Sequence, residues 1–297
     1  MVAFHLKEVI AALHSEGVKE RQVIMWALHR VSLATHDLEA ARYFFETHIG
    51  LGPPSSRDDN SVCFGQGSRG LRIERPRGTL INQSGKIYGQ TSAHYLALDV
   101  PDLPAVARRL TQHGYSYCDA PQGDFEVAAL YTFDPAHNLV AFCQASTTLS
   151  EDDIQPWEKE WGWGLHHVNL QAGDVRKVVD FFCLIAECHE GQWQAPSKKG
   201  DFSIDPEALS ILPLGSLNRG LHIIRPDAGF AHRNNFAHNP SIGGHPAFWV
   251  KDVLAVAERL QQDDVSVTDA GMYAMADMHQ IYVLDPTANM IEVNQFL

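Results

Sequence analysis

Leu165-His-His-Val-Asn-Leu170 restates, with changes, the earlier stretch Leu28-His-Arg-Val-Ser-Leu33, and this pairing decides how the chain folds. Two more pairs follow in the same order. Arg69-Gly-Leu-Arg-Ile-Glu-Arg-Pro76 returns as Arg219-Gly-Leu-His-Ile-Ile-Arg-Pro226. Phe133-Asp-Pro-Ala-His-Asn-Leu-Val-Ala-Phe142 returns as Leu284-Asp-Pro-Thr-Ala-Asn-Met-Ile-Glu-Val293. The offsets are 137, 150 and 151 residues, so the copies are collinear with one insertion between the first two blocks. Blocks matched at one long period mark duplicated modules, not a short-period solenoid. The copies diverge at three matched positions, where the first has Arg30, Tyr95 and Ala141 and the second has His167, His245 and Glu292. Only the second set consists of metal-ligand side chains.

The repeat divides the 297 residues into an N-terminal module over 26–145 and a C-terminal module over 163–297, joined by the acidic stretch 146–162. Residues 1–25 read as an amphipathic helical extension, with Phe4, Val9, Ile10 and Leu13 on one side. That stripe suits packing on the protein or on a second subunit, so a homo-oligomer is expected. Apolar residues at 45% supply a core for each half, and no stretch is long enough for a membrane span. A net charge of −13 argues against nucleic acid and anionic membranes as partners. Five cysteines without a CxxC pair suit reduced thiols, and the charged N-terminus lacks signal-peptide character, so a cytoplasmic location is expected.

Within each module the same order recurs twice: a strand-like run, a helical run, then about three short alternating runs. Helical periodicity falls at Leu38–Ile49, Leu103–His113, Val175–Ala186 and Val253–Gln262. The expected architecture is α+β, with each module a pair of βαβββ units forming a cup-shaped, partly open mixed sheet. Strand alternation then sorts the faces. In 165–170 it places His166, Val168 and Leu170 toward the helix and Leu165, His167 and Asn169 toward the cup. Ile291 and Val293 take the core side and leave Glu292 and Asn294 opposite, while Phe248 and Val250 leave His245 opposite.

Two imidazoles and one carboxylate, with the rest of the coordination sphere open, suit non-haem Fe(II) or Mn(II). Structural zinc wants four protein ligands, usually thiolates. Any one of the 16 histidines would ordinarily be a surface or hydrogen-bonded core residue. Three coincidences at positions where the sister copy has no ligand weigh against that ordinary explanation.

These residues resemble the vicinal oxygen chelate superfamily, and within it the two-module extradiol ring-cleaving dioxygenases. The resemblance runs from about residue 26 onward and rests on the Leu-His-His-Val opening, His245-Pro-Ala-Phe-Trp-Val-Lys-Asp-Val253, and the Tyr282-x-x-Asp-Pro ending that reaches Glu292. It implies a metal-free N-terminal module and a catalytic C-terminal one. The ligands would be His167, His245 and Glu292, holding Fe(II) or, less often, Mn(II). It also implies a catechol-like aromatic substrate chelated by the metal, O2 as co-substrate, His222 as acid–base group and Tyr282 as substrate-orienting tyrosine. The His222 match requires an insertion over Ala231–Gly244. The chain departs from the pattern at two places. Tyr273 stands nearest the position of a further signature histidine, with His279 out of register, and Ala288 stands where Gly or Pro is expected.

Two other functions compete with the dioxygenase. A glyoxalase-type lyase or isomerase of the superfamily usually draws four ligands from two units, whereas three are found here in one module. A metal-independent protein that binds small aromatic molecules has no use for the triad. Bound metal separates the binder from both enzymes, and O2 uptake with a catechol separates the dioxygenase from the lyase.

Overall fold

The computed structural model describes residues 25–76, 80–81, 87–88, 94–145, 158–196, 205–275 and 277–297. The N-terminal helical extension, Met25 aside, and residues 146–157 of the linker lie outside them.

The first sheet is built from β1 (Ala27–Ala34), β2 (Ser56–Arg57), β3 (Ser61–Phe64), β4 (Gly70–Glu74), β7 (His94–Val100), β8 (Tyr117–Asp119), β9 (Ala129–Phe133) and β10 (Leu139–Gln144). A separate hairpin of β5 (Leu80–Ile81) and β6 (Ile87–Tyr88) stands between β4 and β7. The strand order of the first sheet is β2-β3-β4-β1-β7-β10-β9-β8. Helix α1 (Leu38–Tyr43), prolonged by a π-helical turn over Phe44–Ile49, follows β1, and α2 (Leu103–Gln112) follows β7. The second sheet comprises β11 (Trp163–Gln171), β12 (Leu209–Pro213), β13 (Gly220–Ile224), β14 (His245–Val250), β15 (Val267–Gly271), β16 (Met278–Leu284) and β17 (Met290–Phe296), in the order β12-β13-β11-β14-β17-β16-β15. Its helices are α3 (Glu158–Trp161), α4 (Val175–Ala186), α5 (Phe230–Asn234) and α6 (Val253–Gln262).

Both sheets mix strand directions in one pattern. β1 runs parallel to β4 and antiparallel to β7, which runs parallel to β10; β11, β13, β14 and β17 repeat this. The expected α+β architecture of two cup-shaped modules is therefore found. One unit is shorter than expected among the described residues: α4 is followed by two strands, β12 and β13, instead of three.

Local sequence explains the recurrence. Each of the four unit helices begins after an aspartate, Asp37, Asp102, Asp174 or Asp252, whose side chain accepts first-turn backbone N–H groups. Such a cap stabilises a helix by about 1 kcal/mol. In α4 the buried residues Val175, Val178, Val179, Phe182 and Ile185 form the apolar stripe that docks on the sheet. Gly70 and Gly220, from the matched Arg-Gly-Leu stretches, enter β4 and β13 at positive φ. A Cβ at either would strike the carbonyl oxygen of Phe64 or Leu212.

One continuous core serves both modules, with Phe45, Phe64, Phe142, Trp163, Phe181, Phe182 and Phe248 among its members. Contacts between the modules are reciprocal. Arg109 Nε donates to the carbonyl of Ile185 at 2.8 Å, and its counterpart Arg259 donates to that of His48 at 3.0 Å. Asn138 Nδ2 reaches the Gln171 carbonyl and Asn289 Nδ2 the Ala34 carbonyl, each at 3.1 Å. Donors and acceptors in each pair are related by the sequence offsets of the repeat, so the modules are joined about an internal pseudo-twofold axis.

Strict alternation fails at one point in each first strand. The register slips between Leu28 and Arg30 and again between Leu165 and His167, leaving His29 and His166 as extra residues in matching β-bulges. This corrects two expectations: Leu165, read toward the cup, is buried in the hydrophobic core, and His166 does not pack with Val168 against the helix. Its ring lies beside His167 instead, with the centroids 5.1 Å apart.

Candidate metal centre and cavity

Three adjacent strands of the second sheet bring His167, His245 and Glu292 together, each at most 2% exposed. Nε2 of His167 and Nε2 of His245 each lie 3.1 Å from Glu292 Oε2. One ligand atom from each residue falls within 4.8 Å of the others. Ala247, paired with both His167 and Glu292, keeps the strand between them small. Burial pushes the Glu292 carboxyl up, but the two imidazoles outweigh it by charge and hydrogen bonding and hold it well below the usual carboxylate range. Burial lowers the His245 imidazole, and Glu292 only partly offsets this. Two imidazoles and one carboxylate, converging with no lysine or arginine among them, form a donor set that fits a divalent ion.

Glu292 is held from behind. Gln280 Nε2 donates to Glu292 Oε1 at 2.8 Å and to the Tyr282 hydroxyl at 3.2 Å. Reading the sequence for ligands missed Gln280, although the contrast between copies contains it, since its counterpart on β9 is Ala129. The Tyr282 phenol is pushed well above its ordinary range by burial and by the nearby Glu292 carboxylate.

His222 lies on β13, next to β11, and its ring stacks on His167 at 3.9 Å between centroids and 21° between planes. Its Nε2 donates to the Asn218 carbonyl at 2.6 Å. That loop is tied down by two hydrogen bonds between Asn218 and the Gln194 backbone, at 2.7 Å each. Burial drives the His222 imidazole well below its usual range, so it is neutral. With Nε2 protonated, Nδ1 carries the lone pair.

These groups border a cavity of about 160 Å³. His167, His222, Glu292, Tyr282 and Gln280 form its polar end, and Trp193, Leu209, Ile224, Phe230, Pro240, Tyr273 and Met275 form its apolar walls. Phe230, the first residue of α5, and Pro240, from the insertion over Ala231–Gly244, are among these walls. Phe236 and Tyr273 pack edge to face at 5.3 Å behind that wall. Tyr273 thus borders the cavity, whereas His279 turns away and pairs with Asp269 at 2.7 Å. No lysine or arginine lines the cavity among the described residues.

In the first module the cup is filled around Arg30 and Ala141. Arg30, 2% exposed, donates to the carbonyls of Ser68 and Asp124, and its guanidinium lies 4.3 Å from the Phe125 ring centroid. Ala97, Ala129, Tyr131, Ala141 and Cys143 fill that cup. Tyr131 matches Tyr282, and its hydroxyl donates to Asp124 at 3.1 Å. Tyr95 pairs with Ser32 through the strand backbone.

Of the other readings, all five cysteines are unpaired thiols, with Cys118, Cys143 and Cys188 buried. No helix among the described residues is long and apolar enough to cross a membrane.

No family model matches the chain, and no curated protein matches it by sequence. Solved structures do match it. The 2,3-dioxygenase LapB from Pseudomonas sp. KL28 aligns over 93% of this chain and 93% of its own, at 17% identity and a TM-score of 0.59. A catechol 2,3-dioxygenase aligns over 91% of this chain and 87% of its own, at 13% identity and a TM-score of 0.59. The Mn(II)-bound glyoxalase from Novosphingobium aromaticivorans aligns over 93% and 83%, at 17% identity and a TM-score of 0.57. The chain therefore has the two-module fold seen in these dioxygenases and in this glyoxalase.

Proposed function

We propose that the protein is an extradiol-type dioxygenase whose C-terminal module binds Fe(II) or Mn(II) through His167, His245 and Glu292. The observation that carries this reading is the convergence of both Nε2 atoms on one Glu292 oxygen at the polar end of an aromatic cavity. When bound, the ion supplies Lewis acidity and open positions for two adjacent substrate oxygens and O2.

The protein's own groups orient the substrate and move protons. The apolar walls accept a flat ring and exclude water, and the lining without cations suits a neutral ring over one bearing a carboxylate. His222 lines the cavity and, through its lone-pair Nδ1, accepts a proton from a substrate hydroxyl. Its Nε2–H stays committed to the Asn218 carbonyl, which fixes the ring while it works. The Tyr282 hydroxyl accepts from Gln280, which fixes it at the cavity lining to orient a substrate oxygen.

The test is anaerobic purification with elemental analysis, then O2 uptake and yellow product formation across neutral and carboxylated catechols. One divalent ion per chain and O2 consumption with a neutral catechol are expected. A metal-loaded protein that consumes no O2 but isomerises or cleaves another chelating substrate would transfer the reading to the glyoxalase type. Absence of bound metal after reconstitution would end both.

A further inference from the structure

His166 is the residue that the bulge adds to β11, and its surroundings differ from those of its counterpart in a specific way. His29 occupies the matching bulge with both ring nitrogens engaged away from Arg30. Its Nδ1 lies 2.9 Å from Asp99 Oδ1 and its Nε2 lies 2.9 Å from Ser68 Oγ. Asp99 corresponds to Trp249, whose indole Nε1 donates instead to Glu158 at 3.0 Å. With no carboxylate at that strand position, the His166 ring turns to its neighbour, and its Nδ1 lies 2.8 Å from His167 Nδ1. Both rings are 1% exposed.

Two ring nitrogens at that distance require one N–H and one lone pair. If His167 ligates through Nε2, its remaining N–H sits on Nδ1, and His166 Nδ1 is the acceptor. Metal-bound histidines ordinarily donate this second N–H to a carboxylate, a backbone carbonyl or water. We propose that His166 is a positioning residue of the metal centre. It accepts the His167 Nδ1 proton through its own Nδ1 and thereby fixes the tautomer and ring angle that present His167 Nε2 to the ion. The inference rests on the three-ligand reading above. It also locates the His166 proton on Nε2, which is buried at the edge of a second cavity of about 240 Å³ lined by Leu214, Ser216, Arg219 and Phe296.

The experiment is Mn(II) binding to metal-stripped wild type, His166→Leu and His166→Asn by chelator competition, with a thermal melt of each metal-free protein. His166→Leu should bind Mn(II) roughly 10- to 100-fold more weakly, the usual effect of losing such a partner. His166→Asn, whose Oδ1 can accept the same proton, should recover most of that loss. A purely structural histidine would instead lower the metal-free melting temperature and leave affinity unchanged. That outcome overturns the proposal. Failure of the wild type to bind Mn(II) or Fe(II) overturns the three-ligand reading, and this inference with it. Should His166→Leu not fold, ¹⁵N NMR of the Zn(II)-loaded wild type decides. His166 protonated on Nε2 supports the role, and His166 protonated on Nδ1 overturns it.

Discussion

The two cups share a backbone and differ in what stands on it. In the second, Glu292 lies across Ala247 from His167. In the first, Ala141 lies across Ala97 from Arg30. The first cup holds a tethered cation: the Arg30 guanidinium caps two carbonyls and rests on Phe125. The second concentrates lone pairs and one carboxylate with no side-chain cation among them, which is the electrostatic complement of a divalent ion. At the matched positions the first module thus places a charge and side-chain volume of its own where the second leaves three ligand-type groups converging.

Breaking the difference at its root gives the largest effect. His167→Ala, His245→Ala or Glu292→Ala should each take metal content from about one ion per chain to near zero while the protein stays folded, because the ligands bind as a unit. Arg30→Ala should leave metal content at the wild-type level. Elemental analysis after gel filtration checks both, and full occupancy in Glu292→Ala would remove the basis of the comparison. Next comes His222, where the first module has Arg72. His222→Phe should retain the metal and lose roughly 10²- to 10⁴-fold in turnover, the size of a general acid–base contribution. A wild-type rate in the metal-loaded variant would reduce His222 to a wall of the cavity.

A smaller effect is expected at Gln280, which copies of the first module's pattern would replace by alanine. Gln280→Ala removes the donor that orients Glu292 Oε1, and metal affinity should fall by about 10- to 100-fold. Isothermal titration with Mn(II) measures it, and unchanged affinity would show that β17 alone orients the carboxylate. The smallest effect tests what the copies have in common. Arg109→Ala and Arg259→Ala each delete one of two related hydrogen bonds between modules, so each should cost about 1 kcal/mol in urea denaturation, and by similar amounts. A large inequality would mean that the modules lean on one another unevenly.

The triad was legible because one copy serves as a control for the other: a ligand-type residue counts for more when its partner position is Arg30 or Ala141. The same comparison extended one strand further would have exposed Gln280 against Ala129. It would also have shown that Tyr282 is matched by Tyr131, so a tyrosine there does not by itself distinguish an open cup from a filled one. The bulge was not legible. Alternation assumes one residue per half-period, and an inserted residue moves a side chain to the other face without changing any local propensity. His166 was misplaced for that reason. The groups that anchor His222 and close the first cup, Asn218 with Gln194 and Asp124 with Phe125, come from loops whose positions depend on long-range contacts. Their residue types alone carry no such information.

The reciprocal junction has a consequence for how such a chain can change. If two identical modules met as separate subunits, every substitution would appear twice, and a guanidinium that sealed one cup would seal its twin. Tandem linkage keeps the two-sided embrace while giving each side its own text. Asn289 still grips the end of β1, and Asn138 still grips the end of β11. One half can therefore abandon chemistry altogether and continue to serve as the surface on which the other is held in shape.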